Sequence, residues 1–185
     1  MTRPINRRDA IRSTGIALGA LILTSNGLVL ACARETEQPR TGILSAKDET
    51  LIADIADTLL PTTNASPGAK TAGAGAEINL LLTDCYEPDA QLRVVDGLKA
   101  FRQTCDARHH AEFAALAVPQ REQLLRDIDA EALRSKGHYF ELVRELATRA
   151  YFSSEVGMTR ARRWTMVPGK WVGCVPLAPG QPAWG

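Results

Sequence analysis

A cysteine and two neighbouring histidines stand at a spacing that could bind a metal ion. Cys105 and His109 are about one helical turn apart, and His110 follows directly. Thiolate and imidazole groups are common zinc ligands, but a closed zinc site needs more of them than these. No CxxC or HExxH occurs to supply the rest, CxxCH for covalent haem is missing, and the cysteines lack iron–sulfur spacing. We therefore interpret the histidines as the partly exposed end of a helix.

Two further groups of residues could carry acid–base or nucleophilic chemistry. One is the run SSE at residues 153–155, and the other is the pair Glu141 and Glu145 close to His138. Both groups fall on, or at the end of, a predicted helix. Helix surface charge and end capping account for them without any reaction. The sequence therefore predicts no catalytic residue and no metal ligand in this chain.

The remaining cysteine chemistry is a disulfide bond. Once a leader is removed, Cys85, Cys105 and Cys174 stay in an oxidising compartment. A straight helix from Asp89 to Cys105 would be ~24 Å long, whereas bonded cysteines have Cα atoms within ~7 Å, so Cys85 and Cys105 are not expected to pair. Cys174 stands on a Pro- and Gly-rich segment that can reach either one, and we predict the pair Cys85–Cys174. The alternative is that all three are small buried apolar residues.

Composition limits the chain to one modest core. The chain has 185 residues, of which 45% are hydrophobic. Its formal net charge is +1, but residues 1–31 contain four arginines and one aspartate. After Cys32 there remain 18 basic and 20 acidic residues, a net charge of −2. This balance gives no electrostatic case for binding nucleic acid or an anionic membrane surface, whereas binding to another protein stays open.

Apolar residues recur at helical spacing along most of the chain. Ser45 and Asp48 form a capping box, and the helix that follows is predicted to end before Pro61. A second helix is predicted at about 77–85, after a loop rich in Pro, Gly and Ala. The inward residues of this helix are expected to be Ile78, Leu81, Leu82 and Cys85. A third helix, capped by Asp89, is expected to turn five residues inward: Leu92, Val95, Leu98, Phe101 and Cys105.

The second half of the chain predicts two more helices and no strand. A short helical piece is expected around 109–116, Pro119 opens a fourth helix, and a fifth covers about 139–152. No stretch alternates as a strand beyond two or three residues, and no internal repeat occurs. The predicted fold is therefore all-α, a small irregular bundle of about five helices with an extended C-terminal arm, residues 153–185.

The C-terminal segment differs in composition from the helices before it. From Phe152 onward it combines aromatic, basic, proline and glycine residues, including all three tryptophans. Trp and Arg dominate binding energies at protein interfaces, and Pro and Gly restrict such a segment before it binds. The alternative is that the tryptophans fold back and close the chain's own core. Both can hold together, with one face of the arm packed on the core and the other face turned toward a partner. We predict a partner interface formed by Tyr151, Phe152, Arg160, Arg163, Trp164, Pro168, Trp171 and Trp184.

The same segment carries a family resemblance. YFSSEVGMTRARRW at 151–164, followed by VPGKWVGCVPL at 167–177, resembles the C-terminal signature of the gluconate 2-dehydrogenase subunit 3 family. Weaker similarities are LLPTTNASPGAKTAGAG at 59–75 and LTDCYEP at 82–88. The resemblance covers roughly residues 45–185. Members of this family are the small subunits of membrane-associated, flavin-dependent sugar and polyol dehydrogenases.

The resemblance implies a non-catalytic accessory subunit. In such systems a glucose–methanol–choline-type flavoprotein subunit performs the oxidation, and a cytochrome c subunit takes the electrons. FAD and haem c are therefore expected in the partner subunits, and no cofactor is expected in this chain. The small subunit is expected to support assembly, export and membrane association of the FAD-bearing subunit. The alternative, from another class, is a free-standing periplasmic lipoprotein of structural role.

Residues 1–33 are predicted to be an export signal rather than part of the fold. A basic start contains Arg7 and Arg8, and the apolar run after it is too short for a membrane-spanning helix. The run NRRDAIR resembles the twin-arginine motif, with Ala10 where phenylalanine is usual. Twin-arginine export carries folded proteins, so this chain could meet its partner before crossing. An ordinary secretory leader with a chance arginine pair is the alternative.

Two ways of cutting the leader stay open. VLAC at residues 29–32 resembles a lipobox, which would make Cys32 the lipid-bearing N-terminus, and the small residues around it also fit cleavage after Ala33. We favour lipidation, because a cysteine at this place otherwise has no explanation. Residues 34–44 are predicted to be a flexible tether to a single domain, residues 45–185. The predicted location is the periplasm, with membrane contact only through the lipid or the partner.

Overall fold

Helices account for all the regular structure in the described part of the chain. The computed structural model describes residues 42–167, 169, 173–176 and 178–183. Over these residues no strand occurs, so the all-α prediction is confirmed. The α-helices, numbered in chain order, are α1 (Ala46–Leu59), α2 (Ala74–Cys85), α3 (Pro88–His109), α4 (Val118–Ala132) and α5 (Tyr139–Ser153). The shorter turns are a 3-10 turn (Phe113–Ala115) before α4 and a π turn (Gly157–Ala161) after α5.

Helix α5 lies at the centre of the bundle because one of its faces is almost continuously apolar. Phe140, Val143 and Leu146 recur every three residues, with Ala147 and Ala150 beside them, and all are buried. Each large apolar side chain buried in this way stabilises a fold by roughly 1.5–3 kcal/mol. The helix contacts α1, α2, α3 and α4. Helix α5, from whose C-terminal end the arm starts, is therefore fixed by contacts with all four of the other α-helices.

The first helix begins as predicted. Ser45 Oγ accepts a hydrogen bond from the Asp48 backbone N–H at 3.2 Å, and the Asp48 carboxylate accepts one from the Ser45 N–H at 3.3 Å. Arg102 of α3 also donates to this carboxylate. Burial alone would raise the pKa of the Asp48 carboxyl, but hydrogen bonds from Ser45 and Arg102 outweigh burial and hold the pKa below its usual value. The first turn of α1 is thereby tied to α3.

Helices α2 and α3 begin differently from the prediction. Helix α2 starts at Ala74, earlier than predicted, directly after Gly73 in the left-handed conformation with φ 75°. Helix α3 starts at Pro88 with Glu87 as its N-cap, so the predicted cap, Asp89, lies inside the first turn. Proline suits the first helical position, because its missing N–H would have no partner there and its φ is already helical.

The buried face of α3 also differs from the predicted one. Leu92 is 57% exposed, because nine residues of helix separate it from buried Phe101 and rotate it by about 180°. At Gly97 a Cβ atom would lie 2.1 Å from Tyr139 Cγ, so α3 and α5 approach closely there. Cys85, predicted to face inward from α2, is the last residue of that helix and is exposed. The inward residues of α3 are Val94, Gly97, Leu98, Phe101 and Cys105.

The last residues of the predicted tether lie on the bundle. Ile43 N donates to Thr83 Oγ1 at 2.9 Å, and Leu44 N donates to Asn79 Oδ1 at 3.0 Å. Leu44 is buried, so the fixed part of the chain starts before Ser45. Within the described residues, no helix has the length and apolar content to cross a membrane. The predicted export signal at Arg7 and Arg8 and the predicted lipidation at Cys32 lie outside the described residues.

Candidate functional site

The predicted cysteine–histidine pair lies at the end of α3 without further ligands. In the part of the chain that the structure describes, no cluster of three or more His, Cys, Asp and Glu side chains could hold a metal ion. Burial raises the pKa of the Cys105 thiol to about 11, with nearby Arg108 acting against burial. The thiol is therefore protonated at neutral pH and is a poor nucleophile. His110 ends α3 in a left-handed conformation with φ 50°, which confirms the helix-end interpretation.

A groove of about 680 Å³ runs beside Cys105, between α1, α3 and the 3-10 turn. Its volume would suit a small ligand. Two of its charged groups already have partners within the chain, since Arg102 donates to Asp48 and Asp54 accepts from Lys70 Nζ at 2.5 Å. The other charged side chains that line it are of both signs. This mixture does not favour any particular class of ligand.

The residues considered for acid–base chemistry form helix ends instead. His138 is the N-cap of α5, and its Nδ1 accepts from the Phe140 N–H at 3.3 Å. Ser154 is the C-cap, and its Oγ donates to the Tyr151 carbonyl at 2.6 Å. Ser153 Oγ likewise donates to a backbone carbonyl of α5. The capping interpretation is confirmed for His138 and Ser154, and Ser153 lies in the last turn of α5.

The three cysteines within the described residues are separate thiols. Cys85 and Cys174 are exposed, and Cys105 is buried. The predicted Cys85–Cys174 disulfide is therefore not formed in this structure. Residues 173–176 are all exposed, so this part of the arm is not packed onto the bundle, where a bond to α2 would have held it. The alternative of three buried cysteines holds only for Cys105.

Tyr151 connects the end of α5 to the long loop between α1 and α2. Its side chain is 3% exposed, and its hydroxyl donates to the Pro67 carbonyl at 2.9 Å and lies 3.0 Å from Ser66 Oγ. The same loop is held at Lys70, whose N–H donates to Asp57 Oδ1 at 3.0 Å. This corrects the prediction that Tyr151 lies on the partner interface. The residue belongs to the core and fixes the loop.

The turn after α5 determines the direction in which the arm leaves the bundle. Gly157 is buried at this turn, and a Cβ atom there would lie 1.9 Å from the Tyr151 carbonyl oxygen. Its N–H donates to Ser154 Oγ at 3.0 Å, and its carbonyl accepts from the Arg162 N–H at 2.9 Å. Only glycine fits so close to a carbonyl oxygen. Any larger residue at this position would therefore force the backbone of the turn to shift.

Beyond this turn the arm exposes large apolar side chains. Trp164 is 42% exposed, Met166 75% and Val167 76%. The arm also returns toward its own start, because the Arg163 N–H donates to the Ala183 carbonyl at 2.8 Å. Contiguous exposed apolar side chains mark sites of interaction with other molecules. The base of the arm is therefore a candidate interaction site, which we define as residues 160–167.

Each residue predicted for the partner interface has a distinct place. Phe152 is half-buried, and the Arg162 guanidinium lies 4.6 Å from its ring centre. Arg160, Arg163 and Trp164 are exposed at the base of the arm. Outside the described residues lie Pro168, Trp171 and Trp184. Of the residues predicted for the interface, Arg160, Arg163 and Trp164 are thus exposed and Tyr151 is buried, and the interface itself stays a prediction.

A second groove begins where the arm leaves α5, and sequence reasoning missed it. It has a volume of about 950 Å³ and runs along the exposed face of α5 from Glu141 to Phe152. Met158 and Arg162 of the following turn close its other side. Both residues belong to the run at 151–164 that carries the family resemblance, and this run is the sequence signal that could have pointed to the groove. Only the packing of the turn against α5 shows that they share a groove with the helix.

Comparison with known proteins gives one match. The model of the family described as gluconate 2-dehydrogenase subunit 3 matches residues 46–169. This span contains all five α-helices, the π turn and the base of the arm. No curated protein and no solved structure matches the chain.

Proposed function

This chain belongs to the gluconate 2-dehydrogenase subunit 3 family, and from that membership we propose that it is a non-catalytic accessory subunit of a flavin-dependent alcohol or sugar dehydrogenase complex. Its role in this proposal is to bind the catalytic subunit and to support its assembly, export and membrane association. The catalytic partner is a glucose–methanol–choline-type flavoprotein that holds FAD, and a cytochrome c subunit with haem c belongs to the same complex.

The exposed apolar side chains at the base of the arm are the observation that supports this proposal. Trp164, Met166 and Val167 stand within four consecutive residues; Met166 and Val167 are mostly exposed to solvent and Trp164 is partly exposed. Burying apolar surface is worth roughly 25 cal/mol per Å², so a partner that covers these side chains gains binding energy directly. Trp is also among the residue types that contribute most at interfaces. An accessory subunit needs such a surface.

The export role rests on the predicted leader. The arginine pair, Arg7 and Arg8, would send the folded chain through the twin-arginine route, together with a partner that has loaded FAD in the cytoplasm. A lipid at Cys32 would then hold the complex at the periplasmic face of the membrane. Replacing both arginines with lysine is expected to leave the flavoprotein subunit in the cytoplasmic fraction. Export of the flavoprotein by this variant at the wild-type level contradicts the passenger role.

The binding role is tested by co-purification. We expect a tagged chain, isolated from the periplasmic and membrane fractions, to bring down a flavin-containing subunit with the absorption bands of oxidised flavin. Trp164→Ala is expected to reduce the yield of that subunit, whereas the matched variant Leu133→Ala, which removes an exposed apolar side chain just after α4, keeps it. A colourless chain without a partner refutes the proposal and favours the free-standing lipoprotein.

A further inference from the structure

The exposed face of α5 is long enough to seat a segment of another chain. Glu141, Glu145, Thr148 and Phe152 follow one another at helical spacing and form one side of the second groove. Eleven residues of helix separate the first from the last, which is roughly 16 Å. A groove of this length accommodates about three turns of a helix or about five residues of extended chain.

Charge is distributed unevenly around this groove. Residues 42–148 contain 11 basic and 17 acidic residues, whereas residues 149–163 contain four arginines and one glutamate. The acidic bundle therefore ends in a short basic region where the arm begins. Within the groove, Arg149 and Arg162 lie at the arm end, and Glu141 lies at the opposite end. An occupant that complements this pattern is acidic at the arm end.

The arginines at the arm end are available to such an occupant. Arg144, in the middle of the groove, donates to Asp129 at 2.5 Å and is already paired. In contrast, none of Arg149, Arg160 and Arg162 forms an ion pair with a carboxylate of the described residues. Guanidinium groups bind carboxylates through paired N–H donors, which gives orientation as well as energy. The basic end is therefore suited to carboxylates from outside the chain.

We propose that the groove along α5 binds an acidic segment of the flavoprotein subunit. Carboxylates of this segment pair with Arg149 and Arg162, which line the groove, and an apolar side chain of it covers Phe152 and Met158. The inference rests on the proposed function, since it names the part of the partner that this chain recognises. The base of the arm begins at the groove, because Arg162 lines the groove and Trp164 follows it by two residues. The exposed apolar side chains of the arm therefore follow directly in the chain after the last groove residue, Arg162.

An anionic membrane surface would also attract arginines, but the groove favours a protein segment. Glu141 and Glu145 line the same groove, and they would repel an anionic bilayer laid across it. The charges of this groove are separated along its length, with Arg149 and Arg162 beside Phe152 and Met158 at one end and Glu141 at the other. A protein segment can place its own charges to match this order, whereas a bilayer surface is uniformly anionic. The two occupants are separated by the test.

Charge reversal tests the arginines in the assembled complex. We expect Arg149→Glu combined with Arg162→Glu to weaken binding of the flavoprotein subunit by about tenfold or more, because attraction becomes repulsion. Arg134→Glu is the matched control, since Arg134 is exposed after α4 and does not line the groove, and it should leave the affinity within about twofold. Circular dichroism of both variants verifies that the helices are intact. An unchanged affinity of the double variant in an intact complex overturns the inference and leaves the proposed function standing.

Photo-cross-linking identifies the occupant. A benzoylphenylalanine introduced at Met158 is expected to cross-link to a peptide of the flavoprotein subunit that is rich in Asp and Glu. A cross-link to a peptide without excess acidic residues overturns the inference. Binding of the wild-type chain to phosphatidylethanolamine–phosphatidylglycerol vesicles, lost in the Arg149→Glu and Arg162→Glu double variant, also overturns it in favour of the membrane. The absence of any complex with the wild-type chain overturns both this inference and the proposed function.

Discussion

The helical bundle and the base of the arm differ in where their side chains find partners. In the bundle, Asp54 accepts from Lys70 and Asp129 from Arg144, each at 2.5 Å. Among the described residues, no buried side-chain nitrogen or oxygen lacks a hydrogen-bond partner. The base of the arm, residues 160–167, instead exposes arginines and large apolar side chains. The buried polar groups of the bundle thus have partners within the chain, whereas the base of the arm leaves large apolar side chains exposed to solvent.

Helix α5 belongs to both regions. Its buried face, with Phe140 and Tyr151, lies in the bundle, and its exposed face lines the groove that leads to the arm. Consecutive residues are divided between these roles, since Tyr151 is buried while Phe152 lies under Arg162. A change on the buried face should therefore affect stability first, and a change on the exposed face or in the arm should affect binding first.

The largest expected effect on stability comes from the buried face. Phe140→Ala removes a fully buried ring from the centre of the bundle, and we expect it to lower the free energy of unfolding by about 3–5 kcal/mol. Urea unfolding followed by circular dichroism measures this loss. Leu133→Ala, at a side chain that is 73% exposed, should change the same quantity by less than about 0.5 kcal/mol. Equal losses in the two variants contradict the placement of α5 at the centre.

The next effect is expected at the turn that joins the two regions. Gly157→Ala places a Cβ atom against the Tyr151 carbonyl oxygen, so the backbone of the turn has to shift. We expect a loss of about 1–3 kcal/mol in the free energy of unfolding, together with weaker binding of the flavoprotein subunit because the arm is redirected. Thr159→Ala, in the same turn but exposed, is the control for a mere change of side chain. Wild-type binding by Gly157→Ala shows that the arm's direction is irrelevant.

Local sequence patterns predicted the positions of the helices well, but they predicted poorly which side chains are buried and what those side chains contact. The capping box at Ser45 and the apolar spacing of α5 depend on nearby residues only, and both were read correctly. Leu92 was misplaced because a spacing of three residues drifts around a helix that repeats every ~3.6 residues. Tyr151 was misplaced because its hydroxyl binds Pro67, which is 84 residues away in the chain. Tertiary contacts of this kind leave no local signal.

A smaller effect is expected at the charged contact between α1 and α3. The pKa of Asp48 is lowered in the folded state, so the unfolded chain binds more protons in acid. Its contribution to stability is present above the usual value of 3.8 and is lost as pH falls through the lower folded pKa. Asp48→Asn should cost about 1 kcal/mol at neutral pH and flatten the acid side of the stability profile. A profile identical to that of the wild type refutes the role of this carboxylate.

The smallest effect on stability is expected where the effect on binding is greatest. Trp164→Ala removes a ring that is 42% exposed in the isolated chain, so the free energy of unfolding should fall by about 1 kcal/mol or less, far below the loss expected for Phe140→Ala. The same variant should reduce the yield of the flavoprotein subunit in co-purification, because the exposed part of the ring supplies interface area when the partner covers it. Unfolding and co-purification measured on one preparation give both numbers. A loss of several kcal/mol with binding intact would mean that the tryptophan completes the chain's own core, and the division between bundle and arm would have to be abandoned.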